Sequence, residues 1–133
     1  MSTNPSLELA IAAADFASDR KATNIVVLNL SEVSSVANYF VIATGRSHIH
    51  VEAICARIHE GVRERADDVP IATEGLGNGQ WAIMDYGDVV VHVFQESARG
   101  LYDLERLWRE APRWNYKEGS SESDRALPCF DGA

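Results

Sequence analysis

The sequence lacks most of what secreted, membrane-spanning or metal-binding proteins need. Its two cysteines, Cys55 and Cys129, are far apart and do not have the spacing of metal ligands. Two isolated cysteines in a chain of 133 residues fit a reducing compartment better than a disulfide framework. Residues 1–10 show neither a basic nor an apolar leader segment, and no apolar run is long enough to cross a bilayer. We therefore expect a cytoplasmic protein.

Positive charge is also scarce. The chain has 12 Lys and Arg against 20 Asp and Glu, a formal net charge of −8. Binding to a nucleic-acid backbone uses Lys and Arg to replace counterions around phosphates, so we expect little direct nucleic-acid contact. The acidic balance fits a basic protein partner, because complementary charge accelerates encounter and fixes orientation. It would also serve solubility alone, and charge does not decide between these two roles.

The length and an apolar content of 46% predict one domain with a single core. We place this domain at residues 1–116. From Lys117 onward the composition becomes polar, which predicts a disordered tail over residues 117–133.

Hydrophobic periodicity predicts an α/β or α+β fold, with a mixed β-sheet of about five strands and flanking helices. Helical spacing predicts helices over residues 6–20, 47–65 and 97–110, with Ser47 and Ser97 as caps. Short apolar runs predict strands at residues 24–30, 39–44, 71–73, 80–84 and 89–94. A strand–helix–strand unit through the second helix predicts a parallel crossover, and the turn chemistry of residues 85–88 predicts an antiparallel hairpin.

Two segments could bind small ligands, although each has a simpler structural explanation. The turn at residues 44–47 joins a strand to a helix and could present backbone N–H groups to an anion, but it has no nucleotide-binding fingerprint. Glu52, Cys55 and His59 share a helical face, with His48 and His50 one turn earlier. They could hold zinc, but Cys55 lies within the apolar stripe of that helix, which favours a role in the core.

Two further features would matter in an enzyme. His92 lies in an apolar strand, where a hydrogen-bonded structural histidine is more common than a general base. Asp85 and Asp88 are the one carboxylate pair that we consider for two-metal catalysis, but aspartates in a hairpin turn usually bond their own backbone.

Aromatic residues near the predicted hairpin indicate a possible protein-binding surface. Trp81, Tyr86 and Tyr102 have acidic neighbours, and Trp and Tyr are enriched at interface hot spots. Periodicity alone would favour Trp81 as an ordinary core residue.

Three stretches, in this order and spacing, resemble the Iojap/RsfS family of ribosomal silencing factors. They are YFVIATGRS at residues 39–47, WAIMDYGDVVVHVF at residues 81–94 after Glu74-Gly75, and YDLERLW at residues 102–108. The resemblance covers about residues 6–108. No single stretch is decisive, but the ordered set is specific.

The resemblance implies a nucleotidyltransferase-like fold without the catalytic carboxylates, and hence no enzyme activity, metal or cofactor. It implies binding to ribosomal protein fourteen on the large ribosomal subunit, which would block joining of the small subunit and repress translation. It also implies a homodimer away from the ribosome. The residues that match the family's partner-binding patch are Glu74, Trp81, Asp85 and Tyr86.

Two alternatives stay open at this point. One is a nucleotidyltransferase-like, metal-dependent enzyme that uses Asp85 and Asp88. The other is an adaptor that binds a basic, non-ribosomal partner through the same residues.

Overall fold

Three helices and six strands make up the computed structural model, which describes residues 5–33, 35, 37–75, 80–102 and 109–116. The helices are α1 (Pro5–Asp19), α2 (His48–Ala66) and α3 (Glu96–Tyr102). The strands are β1 (Thr23–Asn29), β2 (Tyr39–Gly45), β3 (Ala72–Glu74), β4 (Trp81–Asp85), β5 (Val89–Gln95) and β6 (Arg113–Asn115). None of the helices in these residues is both long and apolar enough to cross a membrane.

The strands form one mixed sheet in the order β3-β4-β5-β2-β1-β6. At its centre β2 and β5 run parallel, with Tyr39 opposite Val89 and Gly45 opposite Gln95, and every other neighbouring pair is antiparallel. β2 and β3, which α2 connects, therefore run in the same direction but are separated by β5 and β4. The mixed sheet and the parallel crossover are confirmed, and the sheet has six strands rather than about five.

The second helix matches its prediction closely, because its sequence carries every local signal. The N-cap Ser47 accepts a hydrogen bond from the His50 amide at 3.1 Å. The chain leaves the helix at Asp67, whose left-handed backbone (φ 54°) lets its N–H bond to the Arg63 carbonyl. The apolar stripe faces the sheet, and all its members are buried: Val51, Ile54, Cys55, Ile58 and Val62.

The first helix packs on the second through small residues. A Cβ at Gly61 would lie 2.5 Å from the Phe16 ring, so only glycine allows α1 and α2 this close at that point. The Arg57 guanidinium lies 4.6 Å from the centre of the Phe16 ring and pairs with Asp19 at 3.2 Å. These charges are partly exposed, so we assign most of the stability of the contact to packing.

The two faces of the sheet have different cores, because side chains alternate along each strand. α1 and α2 cover one face, which we call the helix-covered face, where residues such as Val27, Val41 and Val91 are fully buried. The opposite face has rings at its centre, and we call it the aromatic face. It includes Phe40, His92 and Phe94, with Trp81 and Ile83 partly buried beside them and Ala98 of α3 packed against this core.

The C-terminal part of the domain differs from its prediction. α3 begins at Glu96, directly after β5, so Ser97 lies within the first turn and is not the cap. A sixth strand at Arg113–Asn115 pairs with β1, although no strand was predicted there. Residues 103–108, predicted to continue the last helix, and the predicted tail at residues 117–133 lie outside the described part of the chain.

Candidate functional site

Three of the four predicted partner-binding residues lie on the aromatic face. Trp81 and Asp85 alternate with Ala82 and Met84 along β4, so they share one face of the sheet. Glu74 of β3 lies opposite Ile83 and therefore belongs to that face as well. Glu74 is exposed, whereas Trp81 and Asp85 are half-buried. The sheet register thus puts Trp81, Ile83 and Asp85 in a row on this face, with Glu74 opposite Ile83 near the β3 edge.

The orientation of Trp81 is fixed by its neighbours on β5. Its indole N–H donates to His92 Nδ1 at 3.1 Å, and its ring stacks on Phe94 with centroids 5.0 Å apart. On the other side of His92, the Phe40 ring packs edge-on at a centroid distance of 4.5 Å. The indole is therefore held in place while part of it stays accessible, which suits an interface anchor.

His92 is neutral in this arrangement. It is 5% exposed, and burial lowers its pKa from the ordinary value of 6.5 to about 4. Because Nδ1 accepts the Trp81 hydrogen bond, the proton of the neutral ring is on Nε2, which has no hydrogen-bond partner among the described residues. His92 thus acts as the support of Trp81. The contact between Trp81 and His92 was not predicted from the sequence. A hairpin with a two-residue turn would have indicated it, because this register puts Ile83 opposite His92 and Trp81 two residues further along the same face.

The structure places Tyr86 on the other side of the sheet. Tyr86 directly follows Asp85, so its side chain enters the helix-covered face, where it is 7% exposed. Its hydroxyl has no hydrogen-bond partner in the described part of the chain, and its pKa is raised by burial and, to a smaller extent, by Asp68 and Cys55. Tyr86 therefore does not share an exposed surface with Trp81. The side chain of Tyr102, the third aromatic residue predicted there, lies outside the described part.

Asp85 and Asp88 do not face a common point. Asp85 Oδ1 accepts a hydrogen bond from the Gly87 amide at 2.7 Å, in a turn where Gly87 has a φ of 93°. Asp88 Oδ2 accepts from the Ser6 hydroxyl at 3.4 Å. The two carboxylates thus bond to different neighbours, and the bond of Asp85 is the turn role that aspartates commonly have.

The residues considered for zinc are engaged separately. Burial and the nearby Glu52 raise the pKa of the Cys55 thiol to about 12, so it stays protonated. His48 Nε2 lies 3.0 Å from Glu52, and His50 Nε2 lies 2.6 Å from the Arg20 carbonyl. Within the described ranges, no group of three or more His, Cys, Asp and Glu side chains is arranged to hold a metal ion.

The turn at residues 44–47 is filled by the protein itself. The Arg46 amide donates to His50 Nδ1 at 2.8 Å, and a Cβ at Gly45 would lie 2.9 Å from a Val51 methyl group. The N–H group of Arg46, which an anion could have used, is therefore already bonded, and Gly45 is needed for close packing.

Among the described residues, two of the open cavities that lie away from Trp81 have linings of interest. One, of about 400 Å³, is lined by Arg99, Arg113, Asn115 and residues 24–26 with Tyr116. There Arg99 donates to the Asn24 carbonyl and the Thr44 hydroxyl, each at 2.5 Å, and so ties α3 to β1 and β2. The other, of about 450 Å³, lies between α2 and the β3–β4 pair, with Thr73, Met84 and Cys55 in its lining.

Comparison with known proteins gives one consistent result. The family model described as "Ribosomal silencing factor during starvation" matches residues 3–128. The ribosomal silencing factor of Halalkalibacterium halodurans is 38% identical over 112 residues, which cover 84% of this chain and 92% of that protein. The Bacillus subtilis ribosomal silencing factor is 41% identical over 106 residues, covering 80% and 86% of the two chains. A crystal structure of a Chromobacterium violaceum protein superposes with a TM-score of 0.74 at 29% identity, covering 90% of this chain and 97% of the other.

Proposed function

Because this chain belongs to the RsfS family of ribosomal silencing factors, we propose that it represses translation by binding the large ribosomal subunit. In this proposal it binds ribosomal protein fourteen there and sterically prevents the small subunit from joining. The observation that carries the proposal is the partly exposed Trp81, held by His92 and Phe94 on the same face of the sheet as Asp85 and Glu74. The net charge of −8 favours a basic protein surface as the partner.

We assign the contacts as follows. Trp81 is the anchor that becomes buried against the partner, while Asp85 and Glu74 steer the approach and set the orientation. His92 holds the indole from within the sheet, and Tyr86 supports the β4–β5 hairpin from the helix-covered face. The action is steric, so it needs neither a metal nor a cofactor and involves no chemical step. The same proposal has the protein acting in the cytoplasm on free large subunits, and forming a homodimer away from them.

Sedimentation tests this function directly. The purified protein is centrifuged with isolated large subunits, with isolated small subunits and with both together. We expect it to travel with large subunits only and to lower the yield of joined ribosomes in the mixture. If it stays at the top of the gradient at both low and physiological salt, the ribosomal proposal fails, and a non-ribosomal basic partner becomes the better hypothesis.

The assignment of Trp81 has its own test. Removing a central aromatic anchor costs about 2 kcal/mol or more, which is about a thirtyfold increase in Kd. We expect Trp81→Ala to weaken large-subunit binding by at least that factor, and Ile49→Ala to leave it unchanged. Ile49 is also apolar and is 77% exposed, but it lies at the start of α2 rather than on the aromatic face. Melting curves of both variants establish that they are folded; equal affinity of the two would refute the role of Trp81.

A further inference from the structure

The free edge of β3 presents backbone groups that no strand in the described part of the chain uses. In the β4–β5 hairpin, Tyr86 N–H bonds to the Val89 carbonyl, and Gln95 N–H bonds to the Gln80 carbonyl. Backbone groups of successive residues point to opposite edges of a strand. Since Gln80 and Tyr86 bond to β5, the backbone groups of Ile83 and Asp85 point to the other edge of β4, towards β3. Their partners on β3 are Glu74 and Ala72, and the Ile71 N–H, just before the strand, also points to β4 and donates to the Asp85 carbonyl at 2.7 Å. The N–H and carbonyl of Thr73, between Ala72 and Glu74, therefore point outwards.

The edge is three residues long and carries the charge of Glu74, two features that limit pairing with another chain. Its residues are nevertheless all exposed and include neither lysine nor proline. Ile71, directly before β3, is 75% exposed, and Val69 is 51% exposed. An open strand beside exposed apolar side chains is the arrangement to which an extended peptide adds as a further strand.

Side chains of an added strand would point alternately to the two faces of the sheet, and each face offers a suitable contact. On the helix-covered side, the 450 Å³ cavity has Met84, Cys55 and Ala56 in its apolar lining, and it reaches Thr73 at the edge. On the aromatic side, Glu74 and Asp85 supply negative charge. An incoming residue opposite Thr73 would face the cavity, while its two neighbours would face the carboxylates.

We propose that the β3 edge receives an extended segment of a basic protein of the large subunit as a seventh strand of the sheet. One apolar side chain of this segment enters the cavity, and a lysine or arginine next to it meets Glu74 or Asp85. The inference rests on the proposed function and specifies how the partner is held beside Trp81. A second copy of this chain is a poorer occupant, because it would bring its own Glu74 and the exposed Asp67 to an acidic edge.

Two variants separate backbone pairing from other effects. Thr73→Pro removes the outward N–H without breaking a bond to β4, whereas Thr73→Val changes the side chain and keeps the N–H. We expect Thr73→Pro to weaken binding to isolated large subunits by about tenfold or more, because a hydrogen bond is lost and the proline ring hinders close approach. Thr73→Val should bind within about twofold of the wild type.

The cavity is tested in the same assay. Ala56→Leu puts a larger apolar group on an exposed helical position in the cavity lining and should weaken binding by a similar factor. Glu64→Leu is the matched control, because Glu64 is exposed on the same helix and outside the lining. Melting curves check that each variant is folded.

Hydrogen exchange gives a readout of the edge itself. In the free protein the outward Thr73 amide should exchange quickly, and saturation with large subunits should slow the exchange of residues 71–75 at least about tenfold.

If exchange is unchanged, or if Thr73→Pro and Ala56→Leu bind like the wild type while Trp81→Ala does not, the edge inference is wrong and the proposed function stands. Protection that rises with the protein's own concentration, without subunits, would assign the edge to a second copy and overturn the inference. If the wild type does not bind large subunits at all, the proposed function fails, and the inference fails with it.

Discussion

The two faces of the sheet use the same strands for different purposes. The helix-covered face is mainly aliphatic, and its central side chains Val41, Val91 and Ile54 have no exposed surface. The aromatic face has rings at its centre, a histidine nitrogen that no described residue bonds, and a partly exposed tryptophan on the same face as two carboxylates. Because successive side chains point to opposite faces, β4 and β5 contribute to both. In the proposed function, the centre of the helix-covered face supplies stability, while the aromatic face and the β3 edge supply recognition.

The largest expected effect is on the helix-covered face. Ile54→Ala leaves a cavity beneath α2 and should lower the free energy of unfolding by about 3 to 4 kcal/mol. Binding to large subunits should be unchanged wherever the variant is folded. Urea unfolding measures the loss, with Ile49→Ala, exposed on the same helix, as the control that should change stability by less than about 0.5 kcal/mol. Weaker binding by fully folded Ile54→Ala would show that the two faces are not separate in function.

The aromatic face should make stability depend on pH. An unfolded histidine titrates near pH 6.5 and folded His92 near 4, so between these values the unfolded chain binds a proton that the folded chain does not. Stability should therefore fall as the pH drops from 6.5 to 4, by about 3 kcal/mol from this residue. His92→Phe should remove this part of the decline. The measurement is the difference between wild-type and variant unfolding free energies at pH 7 and pH 4; a constant difference would contradict the assignment.

A smaller effect tests the position of Tyr86. Tyr86→Phe removes a buried hydroxyl that has no partner, so it should raise the free energy of unfolding by about 1 kcal/mol. Affinity for large subunits should stay within about twofold of the wild type. Chemical denaturation and subunit binding measure the two quantities. Weaker binding at unchanged stability would mean that the Tyr86 hydroxyl contacts the partner and that the division between the faces is incomplete.

The smallest effect is expected at the rim of the aromatic face. Glu74→Gln removes one exposed charge and should slow association with large subunits a few-fold at low salt, with little change at high salt. Stability should not change, because Glu74 is exposed. Stopped-flow association at two salt concentrations makes the comparison, with Glu64→Gln on α2 as the charge-matched control. Equal slowing by both variants would show that only total charge matters.

Much of the fold is predictable from local sequence, and its long-range pairing is not. The stripe from Val51 to Val62 and the cap at Ser47 specify α2 without reference to the rest of the chain. β6 was missed because Arg-Trp-Asn has no alternating pattern, and only its pairing with Val26–Leu28 makes it a strand. The neighbouring positions of β2 and β5 also do not follow from either segment alone, since both are simply apolar.

The site divides in the same way. The resemblance to a family selected Glu74, Trp81, Asp85 and Tyr86, and strand periodicity could have separated Tyr86 from the others, because it is an odd number of residues from Trp81. The contact of His92 with Trp81 could have been predicted from the register of the β4–β5 hairpin alone. The outward Thr73 amide could not be predicted, because it depends on β3 being at the end of the sheet, which the sequence does not reveal.

The parallel pair at the centre of the sheet has a consequence for synthesis. Tyr39 is paired with Val89, 50 positions later in the chain, so β2 is made well before its second neighbour exists. At about 5 to 20 residues per second, this delay lasts about 3 to 10 seconds. During that time β2, with all seven of its residues destined for the interior, can pair only with β1. The newly made chain therefore leaves a strand of entirely buried residues paired on one side only for that time, and a chaperone that acts on it should bind at residues 39–45.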